Sequence, residues 1–236
     1  MYMQNTESLA NKTVIVTGGA SGLGEAVVKA VAAAGGVPVV LDLNVSAVAG
    51  TQAHQVDVSD SMAVAEVVKT VAQSCGGIDA VVTAAGIDRC GRLEDVAAVE
   101  WERVIKVNLL GTAAVVRAAM PWLVKDHGRV VTVASSLGLR ALPEASAYCA
   151  SKFAVIGFSR ALAAENKGII GVTTLIPAGM KTHFFDDRTE QYKPTDDSRL
   201  NDPQAVANAV VFALAQPEGC EVRELVICHE EEDSWP

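Results

Sequence analysis

Tyr148 and Lys152, in the stretch "AYCASKFAV", stand four residues apart, which on a helix puts them on one face with their heads in mutual reach. A free phenol, with a pKa of about 10, exchanges protons poorly at neutral pH, but an ammonium beside it favours the phenolate and lowers that value. A phenol tuned in this way can pass a proton to or from an alcohol or carbonyl oxygen while a hydride moves at the adjoining carbon. Two more polar residues fit the same chemistry. Ser135 closes the apolar run "RVVTVAS" upstream of Tyr148, with Gly138 at the third position after it, and its hydroxyl can hold a reacting oxygen. Ser136, the next residue along the chain, is its rival for that task. Asn108 lies inside the apolar segment "VIKVNLLGTAAVV", where a buried amide needs partners, a structural water being one.

These side chains need a frame, and the chain alternates between two kinds of segment that supply one. Apolar, β-branched runs begin at Val14, Val37, Ala53, Asp79, Arg129, Ile170 and Glu224, and most are apolar nearly throughout, as strands buried on both faces are. Helical periodicity fills roughly 22–34, 61–75, 101–124, 148–166 and 203–216, with a short turn of helix at 45–50. Strand alternating with helix predicts a parallel sheet wound on both sides by right-handed crossovers. Ligands then collect outside the carboxyl ends of the strands, where strand order reverses. The stretch from Lys181 to Gln204 has no apolar pattern and reads as a lid or substrate loop.

The first of these units, "TVIVTGGASGLGEAVVKAV" at residues 13–31, packs Gly18, Gly22 and Gly24 between a strand and a helix. Residues without Cβ let a phosphate approach the backbone, and the helix start offers free N–H groups and a positive dipole end. The order of strand, glycines and helix therefore fits a nucleotide pyrophosphate. Asp42 ends the second strand, beyond the helix that Gly24 opens, where a carboxylate accepts from a ribose 2′-hydroxyl and repels a 2′-phosphate; neither Ser21 nor Asn44 is basic. The expected cofactor is NAD rather than NADP.

Composition sets outer bounds. Half of the 236 residues are hydrophobic and a fifth charged, which is the make-up of a chain with a sizeable core. A formal net charge of −9 argues against nucleic acid or an anionic membrane surface as partner. Five cysteines without a C-x-x-C pair fit reduced thiols rather than a disulfide framework or a metal site. The polar start "MYMQNTESLANK" and the lack of an apolar run of about 18 residues predict a cytoplasmic protein with no membrane span.

Taken jointly, "TGGASGLG", "TAAG" at 83–86, Asn108, Ser135 with "YCASK", and "PAGMKT" at 177–182 resemble the short-chain dehydrogenase/reductase family over nearly the whole chain. The resemblance implies an α/β fold: a single Rossmann-type doubly wound domain over residues 1–236, with a seven-stranded parallel sheet flanked by helices on both faces and a lid at about 181–204. It makes Tyr148 the general acid/base, Lys152 the residue that lowers its pKa and binds the nicotinamide ribose, Ser135 the group that orients the substrate oxygen, and Asn108 the holder of a relay water. The cofactor would be held by Gly18, Ser21, Gly22, Leu23 and Gly24 in the loop, and by Asp42 and Leu43 at the ribose. Asp57 and Val58 would meet the adenine, with Ala84, Ala85 and Gly86 on the fourth strand. Pro177, Gly179, Met180 and Thr182 would lie at the nicotinamide, beside Tyr148 and Lys152.

The implied reaction moves a hydride between the nicotinamide and a small or medium secondary alcohol or ketone. A 3-oxoacyl-thioester (acyl carrier protein) reductase is the alternative, which Asp42 disfavours because such enzymes usually take NADP; a non-catalytic dinucleotide-binding protein is a third. Leu137, Leu139, Leu142, His183, Phe184 and Phe185 are the pocket candidates, and Arg89 is placed to meet an anionic substrate or solvent. Two long helices, apolar over more than one stripe, predict a homodimer or homotetramer. The chain departs from the family's pattern at Thr83 and Ala84, where asparagines are usual, at Ala178, where glycine is usual, and in its acidic tail from Glu230 to Asp233.

Overall fold

Valine, isoleucine and threonine build the centre of the sheet in the computed structural model, which describes residues 8–232; Met1 to Glu7 and the tail from Asp233 lie outside the described residues. Strands β1 (Thr13–Thr17), β4 (Ala80–Thr83) and β6 (Gly171–Pro177) are buried at every position. With β2 (Val37–Asp42), β3 (Gln52–Gln55), β5 (Arg129–Val133) and β7 (Glu224–Ile227) they form one seven-stranded sheet in the order β3-β2-β1-β4-β5-β6-β7. Every pairing is parallel. The outermost strands β3 and β7 are only half covered, unlike the two-sided burial read from their apolar residues, because a sheet edge lacks a neighbour on one side.

Alternate side chains on each strand go to opposite faces, and each face is closed by its own helices. Val14 and Val16 of β1 pack with α1 (Gly22–Ala33) and α6 (Pro203–Leu214). Ile15 packs on the other side with α2 (Ser61–Cys75), α4 (Thr112–Leu123) and the far end of α5 (Ser146–Glu165). Strand order reverses between β1 and β4, so both carboxyl ends open onto a common crevice.

The helix read over 101–124 is longer and not uniform. A helix α3 (Ala98–Ile105) runs through a π-helical stretch, Lys106–Gly111, into α4. An 18-residue window within Ala98–Leu123, of mean hydropathy 1.3, is long and apolar enough to cross a membrane. Its apolar side, however, is the one that packs on the sheet through Val107, Val115, Val116, Ala119 and Leu123. The segment 45–50 makes only an isolated turn rather than a helix, with Val48 N–H donating to Val45 C=O at 3.1 Å. In the 181–204 loop, short 3₁₀ turns at His183–Phe185 and Glu190–Tyr192 are tied back by a bridge between Met180 and Asn201.

Candidate active site

A cleft of about 1130 Å³ opens over the carboxyl ends of β1 and β4. Gly18, Ser21, Gly22, Leu23, Gly24, Asp42, Leu43, Asp57, Val58, Ala84, Ala85, Gly86, Ser135, Tyr148, Lys152, Pro177, Gly179, Met180 and Thr182 all line it. Asn108 does not; it lies beneath the floor.

At one end of the cleft the backbone is shaped for close approach. A Cβ on Gly18, whose φ is +66°, would stand 2.8 Å from Ala85 Cα, and one on Gly24 would stand 2.0 Å from the Gly18 carbonyl oxygen. The glycine turn is thus pressed between β4 and the first turn of α1. Ser21, the residue before α1, makes no side-chain cap, which leaves first-turn N–H groups of the helix open to the cleft. An anionic phosphate fits such a terminus. Asp42 is held at the same end by two N–H donors, Ala20 and Asn44, each at 3.0 Å. The Asp57 carboxylate accepts from the Ser59 hydroxyl at 2.7 Å and the Ser59 N–H at 2.9 Å, which hold its pKa low, burial opposing.

At the other end Tyr148, Ser135 and Lys152 meet. The Ser135 side chain, on the same wall of the cleft, acts on the Tyr148 phenol and opposes the effect of its burial. Ser135 Oγ also accepts from Leu137 N–H at 3.2 Å. Lys152 Nζ lies 5.5 Å from the centre of the Tyr148 ring and donates to the Val133 carbonyl at the end of β5, at 2.9 Å. The two heads therefore share a helix face, as their spacing predicts. Their electrostatics differ from the reading that the amine lowers the phenol. Burial pushes the Tyr148 phenol above its ordinary value, with Ser135 opposing it, and burial brings the Lys152 ammonium down to about 8. Desolvation disfavours both charged forms, the phenolate and the ammonium alike.

Asn108 takes its partners from the protein. Its Oδ1 accepts from Ile87 N–H at 2.8 Å, and its Nδ2 donates to Ile87 C=O at 2.9 Å and to Ser151 Oγ at 3.0 Å. Both amide protons are taken by protein groups, one of them by the backbone just past β4. Thr112 Oγ1 donates to the Asn108 carbonyl at 2.9 Å, closing the π-helical stretch.

The departures from the family pattern have local answers. Thr83, where an asparagine is usual, keeps a buried hydroxyl without a partner among the described residues, and the brace to β1 comes instead from Ala85 N–H to Thr17 Oγ1 at 3.1 Å. Ala178 needs no left-handed backbone, and its N–H donates to the Ile227 carbonyl at 2.9 Å. Glu232 of the acidic tail lines the cleft.

Leu137, Leu142, His183, Phe184 and Phe185 border the cleft, whereas Leu139 packs into the small cluster around Val155 and Ile156. Arg89 pairs with Glu100, and the exposed His183 ring bonds Asp186 at 2.7 Å. Sequence reasoning passed over Asp88, Cys90, Arg188 and Tyr192, which also line the cleft. Asp88 and Arg188 form an ion pair at 2.6 Å whose side chains are 4% and 19% exposed. Burial, with Asp88 next to it, pushes the Cys90 thiol up to about 12, so it is not a thiolate at neutral pH. The one available signal was an acidic residue directly after an apolar strand end.

A profile of the family described as short chain dehydrogenase matches residues 12–193. The NAD(+)-dependent 2-dehydro-3-deoxy-L-rhamnonate dehydrogenase of Sphingomonas sp. (strain SKA58) is 38% identical over 188 residues, 75% of each chain. An uncharacterized oxidoreductase of Staphylococcus aureus (strain MW2) is 31% identical over 93% of this chain and 97% of that one. Among solved structures, the ligand-free aldohexose dehydrogenase of Thermoplasma acidophilum superposes with a TM-score of 0.84 at 26% identity, over 94% of both chains. The alcohol dehydrogenase of Thermococcus sibiricus, complexed with 5-hydroxy-NADP, gives 0.85 at 27% identity, over 94% of this chain and 97% of that one. A fold, a glycine turn and a tyrosine–serine pair of this kind, matched along most of the sequence, make the chain a member of the short-chain dehydrogenase family of oxidoreductases.

Proposed function

We propose that the protein is an NAD-dependent oxidoreductase that interconverts a secondary alcohol and a ketone. The observation that carries this reading is the meeting of Tyr148, Ser135 and Lys152, the Lys152 Nζ 5.5 Å from the centre of the Tyr148 ring, at the far end of the cleft whose near end is the glycine turn. A nicotinamide dinucleotide bound there supplies the hydride acceptor for oxidation and the hydride donor for reduction. Tyr148 exchanges the proton at the substrate oxygen, and Ser135 orients that oxygen. Lys152, at about 8, is mostly protonated at pH 7 and places a positive charge beside the phenol. Asn108 acts as a positioning residue that fixes Ile87, next to Gly86 on the cleft floor.

NAD is favoured because Asp42 holds a carboxylate where a 2′-phosphate would otherwise sit, and its neighbours Leu43 and Asn44 carry no charge. The Sphingomonas relative is named for NAD(+), while the Thermococcus structure carries an NADP analogue. Fluorescence titration is expected to give at least tenfold tighter binding of NADH than of NADPH, about 1.4 kcal/mol. Equal affinities would remove the role given to Asp42, and the absence of any turnover across a panel of alcohols and ketones would leave a binding protein in place of an enzyme.

The reading extends to the whole chain acting as one dinucleotide-binding domain in the cytoplasm, with residues of about 181–204 as its substrate loop. It includes a homodimer or homotetramer paired through α4 and α5. Leu110 on the long helix and Phe153 on α5 are 54% and 46% exposed, large apolar side chains that a second copy would cover. Light scattering at micromolar concentration is expected to read two or four chains, and a monomer would count against this pairing.

A further inference from the structure

The lid carries a cation that the reaction as proposed does not use. Arg188 reaches from the 181–204 loop to Asp88, just past β4, and its guanidinium carbon lies 5.3 Å from the Phe184 ring centre and 4.7 Å from that of Phe185. Phe184 in turn packs on Tyr148, ring centres 5.6 Å apart, so the arginine is fixed above the reacting phenol by two stacked contacts.

Its hydrogen bonds are unevenly filled. One Arg188 terminal nitrogen donates to Asp88 Oδ2 at 2.6 Å and the other to the Tyr192 carbonyl at 3.2 Å, while Nε is buried and has no partner among the described residues. Asp88, by contrast, is well supplied, because it also accepts from Arg89 N–H at 2.7 Å and from the Cys90 thiol at 3.2 Å. An ion pair that served only to latch the lid would leave no buried donor orphaned, since such a group carries a penalty comparable to a lost hydrogen bond. An acceptor oxygen is missing at Arg188. A carboxylate is the strongest acceptor for a guanidinium edge, and the donors around Asp88 offset the like charge beside it.

We infer that Arg188 is a specificity-determining residue that takes a carboxylate on the substrate, making the substrate an oxo acid or hydroxy acid whose carboxylate lies within a few carbons of the reacting centre. Asp88 positions the arginine. This inference rests on the oxidoreductase reading above, and the test separates the two.

Protein loaded with NADH is titrated with pyruvate, acetoacetate and levulinate, and with neutral methyl ketones in which an isopropyl group replaces each carboxylate, following the fluorescence of bound NADH. At least one acid is expected to bind more than about tenfold tighter than its neutral counterpart, as one charge-assisted hydrogen bond supplies. Arg188→Met is expected to abolish that ratio and Arg188→Lys to retain part of it. If no acid reaches a tenfold advantage in the unsubstituted protein, or the advantage persists in Arg188→Met, the inference is overturned. Failure of NADH itself to bind would instead refute the cofactor reading.

Discussion

Tyr148→Phe is expected to lower the rate of hydride transfer by roughly 10²–10⁴-fold, the usual contribution of a positioned general acid or base. The substitution removes one oxygen and keeps the ring that packs on Phe184, so the pocket should hold its shape. The nearest polar heads have other tasks: Ser135 acts on the phenol itself, and Lys152 is tied to the Val133 carbonyl. Because burial raises the phenol, it is protonated at neutral pH and ready to donate to a ketone oxygen. Reduction can therefore start directly, whereas oxidation needs the phenolate, which the Lys152 ammonium favours. Stopped-flow measurement of nicotinamide absorbance reads the effect, with NADH affinity as the control for an intact cleft. A residual rate within tenfold of the unsubstituted protein would show that the proton goes elsewhere.

The second large effect falls on the fold and the cofactor together. Gly24→Ala would put a methyl group 2.0 Å from the Gly18 carbonyl oxygen, a distance no carbon and oxygen can share without movement. The obstacle is backbone on both sides, so neither a rotamer change nor a flexible side chain relieves it. Either α1 shifts away from the sheet or the glycine turn opens. The first disturbs the packing of Val27 and Val31, both fully buried, and the second moves the N–H groups offered to a phosphate. Stability is expected to fall by about 3 kcal/mol or more, at the upper end for overpacked sites. Urea denaturation would measure this, and NADH titration of the folded fraction should show affinity reduced at least tenfold. Unchanged stability would mean that the turn is not pressed against the helix as the geometry describes.

The frame of this site was readable from the chain because its signals are local. A run such as that of β6, apolar or β-branched nearly throughout and too short for a helix, reads as a strand covered on both faces. Asp202-Pro203 announces the start of α6, where the Asp202 carboxylate accepts from Gln204 N–H at 2.8 Å. Tyr148 and Lys152 share a face by helical geometry alone. Asp88 and Arg188 are a different case: they lie far apart along the chain, and nothing near either one announces the other. The partners of Asn108 depend on how β4 passes the long helix, and the rise of the Tyr148 phenol depends on the depth of its burial. Neither quantity is written in spacing. Leu139 looked like its neighbours Leu137 and Leu142, but the 3₁₀ turn Ser136–Gly138 faces it inward.

The π-helical stretch Lys106–Gly111 also bears on how this protein tolerates insertions and deletions. A π turn holds one residue more than regular winding needs, and here the surplus falls in the stretch that carries Asn108 and its grip on Ile87, just after Trp101, whose indole N–H donates to Ser146 Oγ at 3.1 Å. Loss of one residue would let the stretch wind as regular helix between the same flanks, whereas gain of one more would turn everything before it by about 100° and push it along by about 1.5 Å. Trp101 would then swing off Ser146 at the start of the helix that carries the tyrosine. The stretch can therefore give up a residue but has no room for a further one, and an insertion there would be felt at the phenol without touching any group in the cleft.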